Sequence, residues 1–472
     1  MTMTSQLSSR LSYWNEKINI LLVYIMSDLS TAISGPMVQE YKNISSLKVS
    51  RVSVQPENKT SLTLAEGNTS DLYISIPSRP NSFLNGKNTY LSFTWKPHNC
   101  HSDTIKVQLA NGTGGSFIRN LETIAGSTSL ELIQNYDVLS SLVDDFQSQT
   151  RCNTLGNILE DSSVPGQAAT TPFAPTSNAK RGMAHAYNDA NPTRICIPLM
   201  SLAVGVLQDK YMPMGTDFGL RLRLTMNDPK YALVAQVAGA LGYTLEDITL
   251  ECEYLDSDPA TYNQIVEAGG GVMKVSGTGI SNFQNTIAAS IAATTNTTLI
   301  PARFSSVRNY LTSFRENSNL TSQTGNSPGH RTRANIENWV YRIHGRNYPN
   351  LPVVADAWKS AESMCEALKC FHALHDTQTN VVFDATEYCA SGPAGTGTVE
   401  SAGFTGSFVI GNDFEESSFS SSQLSGMDTN SSNTFLETYH SGGYYSLNVD
   451  TFCFFDSIIE MNVQTGEVMV SK

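Results

Sequence analysis

Soft metal ligands gather in two short segments of this sequence. The first is residues 98–101 and the second is residues 370–375, and each combines Cys with His. A structural zinc site takes its ligands from closely spaced pairs of Cys and His. Neither segment has that paired spacing, so we interpret the first as a polar loop and the second as an ordinary helix face.

The spacing of acidic, nucleophilic and glycine residues does not indicate acid–base or nucleophilic catalysis. The adjacent pairs Asp144–Asp145 and Glu415–Glu416 point in different directions on a helix or strand, and we expect solvated surface there. Gly-x-Ser-x-Gly, Walker-type and dinucleotide-binding glycine motifs do not occur. The nearest glycine-rich segment, residues 112–115, lies between two strand patterns and predicts a turn. We therefore predict no catalytic residues, no cofactor and no metal.

One basic cluster interrupts an otherwise acidic chain. His330, Arg331 and Arg333 are followed by Arg342 and Arg346. The cluster is short for a phosphate-binding surface, and guanidinium groups also suit ion pairs at interfaces. We expect salt bridges between subunits or between domains at this cluster.

The composition limits the partners of the chain. Its 472 residues include 30 Lys and Arg against 43 Asp and Glu, which gives a net charge of −13. Such a chain repels phosphate backbones, so non-specific nucleic-acid binding is disfavoured and we expect no direct sequence-specific binding. Hydrophobic residues make up 40% and charged residues only 15%. This balance favours β-strands and polar turns over charged helical surfaces.

Cysteines and glycosylation sequons do not establish secretion. The 8 cysteines are scattered along the chain, which favours buried free thiols over a disulfide framework. Asn-x-Ser/Thr sequons are expected by chance in a chain so rich in Asn, Ser and Thr. Sequons occur at Asn43, Asn58, Asn68, Asn111, Asn296, Asn319 and Asn430.

The N-terminal segment is the one candidate for targeting. Residues 18–26 are apolar, but Glu16 interrupts the flank and no small-residue cleavage site follows directly. The apolar run is also too short to span a bilayer. Met26 opens a segment typical of a natural start, with a predicted helix running on towards Tyr41. We expect residues 1–25 to be an upstream extension without a folded role.

The elements that must position any site are mostly strands. From about residue 46, apolar residues alternate with polar ones in short runs that Gly, Pro, Asn or Asp close. Such runs predict half-buried antiparallel sheets. The clearest runs are residues 72–76, 91–95, 220–225, 248–254 and 459–463, and the last precedes a hairpin signal at residues 464–466.

Helical spacing and loop composition complete the pattern. One apolar stripe consists of Leu139, Leu142, Val143 and Phe146, and a second of Met364, Ala367, Leu368, Phe371 and Leu374. Because each stripe lies between strand clusters, we predict helices inserted into inter-strand loops. Long loops are predicted at residues 162–193, 317–336, 390–407 and 416–434.

The strand clusters divide the chain into two strand-rich domains. We predict an N-terminal extension with a helix over residues 1–45, one domain over 46–258, a linker over 259–271 and a second domain over 272–472. Each domain has the size of one elaborated eight-stranded sandwich. The prediction is an all-β fold with short inserted helices.

Several segments, in the same order along the chain, resemble double jelly-roll major capsid proteins, with the polinton-like virus and virophage branch nearest. Together they cover most of residues 70–463. The segments are residues 76–84 leading into 91–93, then 115–121, 197–199 through 210–213, 300–307, and 425–429 before 455–459.

This resemblance implies a fold of two tandem eight-stranded jelly-roll sandwiches. It implies a structural major capsid protein of a DNA virus, a homotrimer that forms pseudo-hexagonal capsomers and tiles an icosahedral shell. The implied partners are other copies of the chain, minor or penton capsid proteins and, through residues 28–43, an internal membrane. The loops at 162–193 and 317–336 would form towers or inter-subunit arms. The protein would reside in the virion capsid, assembled inside the host cell.

Three alternatives stay open at the level of sequence. A secreted or surface β-sandwich that binds glycans or a receptor is favoured by the sequons and by residues 18–26. A single jelly-roll capsid protein with a projecting domain is weakened by the missing basic arm. A β-sandwich enzyme would need a convergent site with residues such as His98, His101 or His372, which spacing cannot reveal.

Overall fold

The structure of the chain is a computed structural model in which part of the sequence is described. The described residues are 47–98, 106–110, 113–146, 159, 185–186, 192–208, 210–215, 218–235, 239–318, 320, 328–357, 359–371, 381, 383, 388–389, 406–415, 426–463 and 465–472. The predicted N-terminal helix and most of the predicted loops at 162–193, 390–407 and 416–434 lie outside them.

Strands dominate both halves of the described chain. The first half contains β1 (Lys48–Val54), β2 (Leu62–Ala65), β3 (Ser70–Ser75), β4 (Ser82–Pro97), β5 (Lys106–Leu109), β6 (Ile118–Ala125), β7 (Thr128–Gln134), β8 (His185–Ala186), β9 (Thr193–Pro198), β10 (Tyr211–Pro213), β11 (Leu220–Met226), β12 (Leu233–Ala235) and β13 (Gly242–Asp256). The second half contains β14 (Val272–Ile287), β15 (Thr294–Ile300), β16 (Val307–Glu316), β17 (Ile336–Ile343), β18 (Arg346–Val354), β19 (Val409–Asp413), β20 (Thr434–His440), β21 (Leu447–Asn462) and β22 (Val468–Ser471).

Short helices lie between the strands. They are α1 (Tyr136–Asp145), α2 (Pro229–Ala232), α3 (Pro259–Ala268) and α4 (Ala361–Cys370), with a 3-10 turn at Gly114–Phe117. The two apolar stripes read from the sequence correspond to α1 and α4, and each helix is inserted between strands as predicted. Among the described residues, no helix has the length and apolar character needed to cross a bilayer.

Strand pairing follows a nested pattern in the second half. One sheet has the order β14-β21-β16-β19, with β22 added on β21, and the other has the order β15-β20-β17-β18. The first of the eight strands β14 to β21 therefore pairs with the last, the second with the seventh, and so inwards to the β17–β18 hairpin. A long hairpin rolled up in this way is a jelly roll.

The first half repeats this pattern with extra strands. One sheet has the order β1-β13-β4-β10, with β2 on β13 and β9 on β4, and the facing sheet has the order β3-β11-β6-β7. A small sheet of order β12-β5-β8 is added beside them. Every ladder between described strands joins strands of the same half. Two jelly rolls exclude the alternative of a single jelly roll with a projecting domain of another fold.

The alternation of residue types explains why these segments form half-buried strands. In β11 the residues alternate strictly between buried and half-buried, with leucines on the core face and Arg221, Arg223 and Thr225 on the other. The same alternation runs through the C-terminal half of β21. β21 turns back into β22 around Gly466, which confirms the predicted hairpin. Each sheet thus has one core face, as expected for antiparallel sheets.

Aromatic side chains fill the space between the facing sheets of each jelly roll. In the first, Phe117 meets Phe93 at 5.5 Å between ring centroids and Tyr243 at 4.8 Å, both edge to face. In the second, Tyr341 meets Trp339 at 5.7 Å in the same geometry. One continuous cluster of buried apolar residues extends through both jelly rolls. The two cores are therefore in contact and form one packed unit.

The predicted linker at residues 259–271 contains a helix that the sequence analysis did not predict. The Asp258 carboxylate accepts a hydrogen bond of 2.7 Å from the Thr261 amide, which caps the start of α3. Pro259 occupies the first helical position, where its missing N–H costs nothing. α3 buries one residue, Tyr262, so its apolar periodicity is too weak to read from the sequence.

Cysteines behave largely as the sequence predicts. The six described cysteines are free thiols, and Cys252, Cys370 and Cys453 are buried. Burial raises the pKa of the Cys252 thiol to about 12. Cys196 and Cys389 are half-buried, and Cys365 lies exposed on α4.

Candidate functional site

A set of buried charged residues lies where the two jelly rolls meet. Its first member is Glu131 on β7, which is 1% exposed. One carboxylate oxygen accepts a hydrogen bond of 2.8 Å from the Ile280 amide on β14, and the other accepts one of 2.8 Å from the Leu202 amide. Leu202 belongs to the first jelly roll and Ile280 to the second, so one side chain bridges both.

A β-bulge brings Glu131 to this position. The register of β6 and β7 shifts between Thr123 and Ile124, which leaves Leu130 as the extra residue. Two consecutive residues, Leu130 and Glu131, are consequently both buried, whereas a regular strand would point them to opposite faces.

Burial sets the protonation of this carboxyl group. Desolvation raises the pKa of Glu131 to about 7, although the hydrogen bonds from Leu202 and Ile280 and the charge of Lys472 oppose the rise. Burial also lowers the pKa of the Lys472 ammonium. β22 brings Lys472 to the junction, where its carbonyl oxygen accepts a hydrogen bond of 3.3 Å from the Ser305 amide. The Lys472 charge therefore opposes the effect of burial on the pKa of Glu131 without cancelling it.

A second bridge centres on Asp450 of β21, which is fully buried. Arg315 on β16 donates to it from Nε at 3.1 Å and from Nη2 at 2.7 Å. From the first jelly roll, the Asn135 amide group donates to the other Asp450 oxygen at 2.8 Å. Asn282 on β14 donates to the Gln134 carbonyl oxygen at 3.2 Å. Asp450 thus connects the β7–α1 turn to two strands of the second jelly roll.

Asp137, in the first turn of α1, adds a third buried carboxyl group. The Asn227 amide group donates to it at 3.0 Å. Desolvation raises the pKa of Asp137 to about 6, while the charge of Arg315 and the hydrogen bonds to the carboxylate oppose the rise. Arg315 therefore acts electrostatically on Asp137 as well as binding Asp450.

The third bridge is an ion pair between Arg331 and Asp145, whose side chains are both 0% exposed. Arg331 also donates to the Ser141 hydroxyl, one turn earlier on α1, at 3.3 Å. This pair confirms the prediction of a salt bridge between domains for Arg331. The prediction that Asp145 is solvated surface was wrong, since α1 turns this carboxylate into the junction.

Aromatic contacts surround this end of α1. Phe146 stacks on Phe371, at the end of α4, with ring centroids 4.4 Å apart and planes at 19°. Phe383 meets the Phe146 ring edge to face at 5.5 Å. The apolar stripes read from the sequence for α1 and α4 therefore meet each other through Phe146 and Phe371.

Two further members of the basic cluster, Arg333 and Arg342, bind within the second jelly roll. Arg333 donates from Nη1 to the Ile336 carbonyl oxygen at 2.6 Å, and from Nε to that of Cys389 at 3.1 Å. Arg342 forms an ion pair of 2.9 Å with Glu437 on the surface. These guanidinium groups do not converge on one exposed surface, which disfavours phosphate binding.

The segments that combine Cys with His lie mainly outside the described residues. His101, His372 and His375 are among the residues that are not described. Within the described parts of the chain, no cluster of three or more His, Cys, Asp or Glu side chains has a geometry that could hold a metal ion. The solvated surface predicted for Glu415 was wrong, because its side chain is 4% exposed and paired with Arg308.

The junction is suited to fixing the orientation of two domains. Its carboxyl groups are buried and bind other groups of the chain. Losing one partner of a buried ion pair is costly, so these pairs favour one arrangement of the two domains over others. The residues missed by the sequence analysis were Glu131, Arg315 and Asp450. The one signal for them was a charged residue at an apolar position of a strand.

Comparison with known proteins identifies the fold. No protein-family model matches the chain, and no curated protein sequence matches it. The Faustovirus major capsid protein superposes with a TM-score of 0.54 at 8% identity, covering 94% of this chain and 98% of that one. The PBCV-1 virus capsid model superposes with a TM-score of 0.53 at 9% identity, covering 90% of this chain and 97% of that one. The Sputnik virophage structure, from cryo-EM, gives 0.50 at 10% identity, with coverage of 88% and 89%.

These likenesses, together with the strand order, define a double jelly-roll fold. It is the fold of viral major capsid proteins, which confirms the resemblance noted in the sequence at the level of fold. The coverage of nearly the whole chain on both sides means that both jelly rolls take part in the match.

Proposed function

We propose that this chain is a structural major capsid protein of a virus rather than an enzyme. Three copies form a pseudo-hexagonal capsomer, and capsomers tile an icosahedral shell in the virion. The observation that carries the proposal is the pair of jelly rolls held side by side by a buried junction. Three chains with two such units each present six similar blocks, which is what a pseudo-hexagonal tile needs.

Similarity of fold to solved capsid proteins supports this role. The similar structures are capsid proteins of Faustovirus, PBCV-1 and Sputnik, and they match over 88–94% of this chain. Because one fold can host many functions, the junction adds independent support. A tile must keep its two units in one orientation, and buried polar bridges serve that end.

The proposal assigns a part to each region. Residues 46–258 and 272–472 are the two jelly-roll domains and residues 259–271 connect them, which is supported by ladders that stay within each half. Residues 1–45 are the N-terminal extension, whose segment 28–43 faces the interior of the shell and an internal membrane. Minor or penton capsid proteins are the other partners. A net charge of −13 fits a shell that does not itself condense the genome.

The mass of the purified full chain in solution, measured by light scattering with negative-stain imaging of the same sample, tests this function. We expect about three times the chain mass of 51.4 kDa, or closed particles. A protein that stays monomeric up to its solubility limit and forms no particles would contradict the proposal.

A matched pair of variants tests the part assigned to the junction. Arg315→Met removes the partner of the buried Asp450, and Lys274→Met removes the exposed partner of the half-buried Glu460, where the ion pair is 2.6 Å long. We expect Arg315→Met to lose trimers while circular dichroism still shows strands, and Lys274→Met to keep them. Trimers that persist in a folded Arg315→Met protein would argue against this part.

A further inference from the structure

Two sheet edges meet inside the chain without forming a ladder. β7 is the last strand of its sheet and β14 is the first strand of its own. Among the described strands no ladder joins them, and the Glu131 side chain on β7 instead accepts a hydrogen bond from the Ile280 amide on β14. Contact between the two jelly rolls is therefore made edge to edge through side chains.

Two other sheet edges hold the corresponding places in the two jelly rolls. By sheet order, β18 holds in the second jelly roll the place that β7 holds in the first. Likewise β1 holds in the first jelly roll the place that β14 holds in the second. Among the described strands, β18 pairs with β17 alone and β1 with β13 alone, so each has one open edge.

Both open edges carry exposed apolar side chains. On β18, Leu351 is 78% exposed and Val354 is 37% exposed, and on β1, Val49 is 64% exposed. Exposed apolar residues on an open edge strand favour association with another chain. Pro349 and Pro352 interrupt the hydrogen-bonding groups of β18, so strand addition along its length is disfavoured. A contact through side chains, like that between β7 and β14, remains available.

Both edges carry charged groups close to the exposed apolar side chains. β1 exposes Lys48 and Arg51, and the Arg51 side chain is 76% exposed. Beside β18, the exposed Glu362 accepts a hydrogen bond of 3.2 Å from the Val354 amide, which places a carboxylate next to the apolar edge. Arg346 is exposed on β18 as well, so charge alone does not decide which edges meet.

We infer that the β18 edge of one copy packs against the β1 edge of a second copy. This contact repeats between copies the relation that β7 and β14 make within one chain. It is heterologous, because two different surfaces meet, and three such contacts close a ring of six jelly rolls. The inference rests on the proposed function and names the surfaces through which that trimer forms.

Single charged substitutions in the full chain test the contact. Leu351→Asp and Val49→Asp place a carboxylate at the apolar centre of each edge. Ile291→Asp is the matched control, because Ile291 is 95% exposed on the β14–β15 loop, outside both edges. Light scattering at matched concentrations gives the mass of each protein, and circular dichroism with thermal unfolding shows that each is folded.

The expected result is that wild type and Ile291→Asp are trimers whereas Leu351→Asp and Val49→Asp are folded monomers, with at least a tenfold weaker association. Trimers in all four proteins would overturn this contact and leave the proposed function standing. A monomeric wild type would overturn the contact and the proposed trimer together. If either variant unfolds, amide hydrogen exchange measured on the wild-type protein tests the contact instead. Protection of residues 48–54 and 346–354 that rises as monomer becomes trimer supports the contact, and unchanged protection overturns it.

Discussion

The Glu131 carboxylate accepts a hydrogen bond of 2.8 Å from the amide of Ile280, across the boundary between the two jelly rolls. An open strand edge exposes amide groups that need an acceptor once they are buried. Glu131 supplies that acceptor from the edge of the other jelly roll. The orientation of the two units is thus set by a side chain instead of a shared sheet.

The pH dependence of folding should carry a contribution from Glu131. Its pKa is about 7 in the folded chain against a usual value of 4.5. The folded state therefore binds more protons than the unfolded state between these values, and stability falls as pH rises from about 4.5 to about 7. The integrated loss is about 3 kcal/mol. Urea unfolding at pH 4.5 to 8 should show a larger fall in wild type than in Glu131→Gln, in which Asp137, with its pKa raised to about 6, still titrates.

A second variant separates titration from lost packing. Thr123→Val removes a hydroxyl that lies 2.8 Å from Ser201 beside Glu131, and it removes no titrating group. Its unfolding free energy should run parallel to that of wild type across the pH range. Parallel curves for Glu131→Gln and wild type would show that Glu131 does not titrate in this range.

Breaking the buried pair of Arg331 and Asp145 should be costly. Arg331→Met leaves the Asp145 carboxylate without its counter-charge in a site where both side chains are 0% exposed. We expect a loss of about 3–5 kcal/mol in the free energy of unfolding, measured with urea. The double variant Arg331→Met with Asp145→Leu should be more stable than Arg331→Met, because no charge is left buried.

The surface pair of Lys274 and Glu460 provides the comparison. Its atoms are 2.6 Å apart, but the Lys274 side chain is 62% exposed. Lys274→Met should cost about 1 kcal/mol or less. Equal losses for Arg331→Met and Lys274→Met would mean that burial does not decide the strength of these pairs.

Much of the fold was predictable from the sequence because strands and turns are specified locally. The alternation at residues 220–225 and 248–254 predicted β11 and β13, and the spacing from Leu139 to Phe146 predicted α1. α3 was missed because its start depends on the Asp258 cap, and its single buried side chain leaves no apolar stripe.

The junction was only partly predictable because its residues come together through tertiary contacts. Arg331 stood out as a cation in an acidic chain, which sufficed to predict an ion pair. Its partner Asp145 was misread, since adjacent acidic residues on a helix usually face solvent and α1 buries one of them. β21 carries other acidic residues too, so sequence alone does not single out Asp450 or reveal that it meets Arg315, 135 positions away.

Backbone conformation at Gly205 should be essential to the first jelly roll. Gly205 has φ +127°, and an added Cβ would lie 1.9 Å from the Leu199 carbonyl oxygen. Gly67 also has a positive φ, +84°, but an added Cβ there meets nothing within 4 Å. Gly67→Ala should lower the free energy of unfolding by about 1–2 kcal/mol through backbone strain. Gly205→Ala should lower it by at least twice as much. Urea unfolding of the two variants measures the difference, and equal losses would exclude the clash as its cause.

Asn135 should stabilise the junction through both its backbone and its side chain. Its φ of 50° lies in the left-handed region, and its amide group donates to Asp450 at 2.8 Å. Asn135→Gly keeps the conformation and loses the hydrogen bond to a charged group, at a cost of about 1.5–3 kcal/mol. Asn135→Ala loses the bond and adds strain of about 1–2 kcal/mol. The free energy of unfolding, measured with urea, should therefore be highest for wild type, lower for Asn135→Gly and lowest for Asn135→Ala. Equal values for the two variants would mean that the turn adopts its conformation without strain. Asn135 would then stabilise the junction only through its hydrogen bond to Asp450.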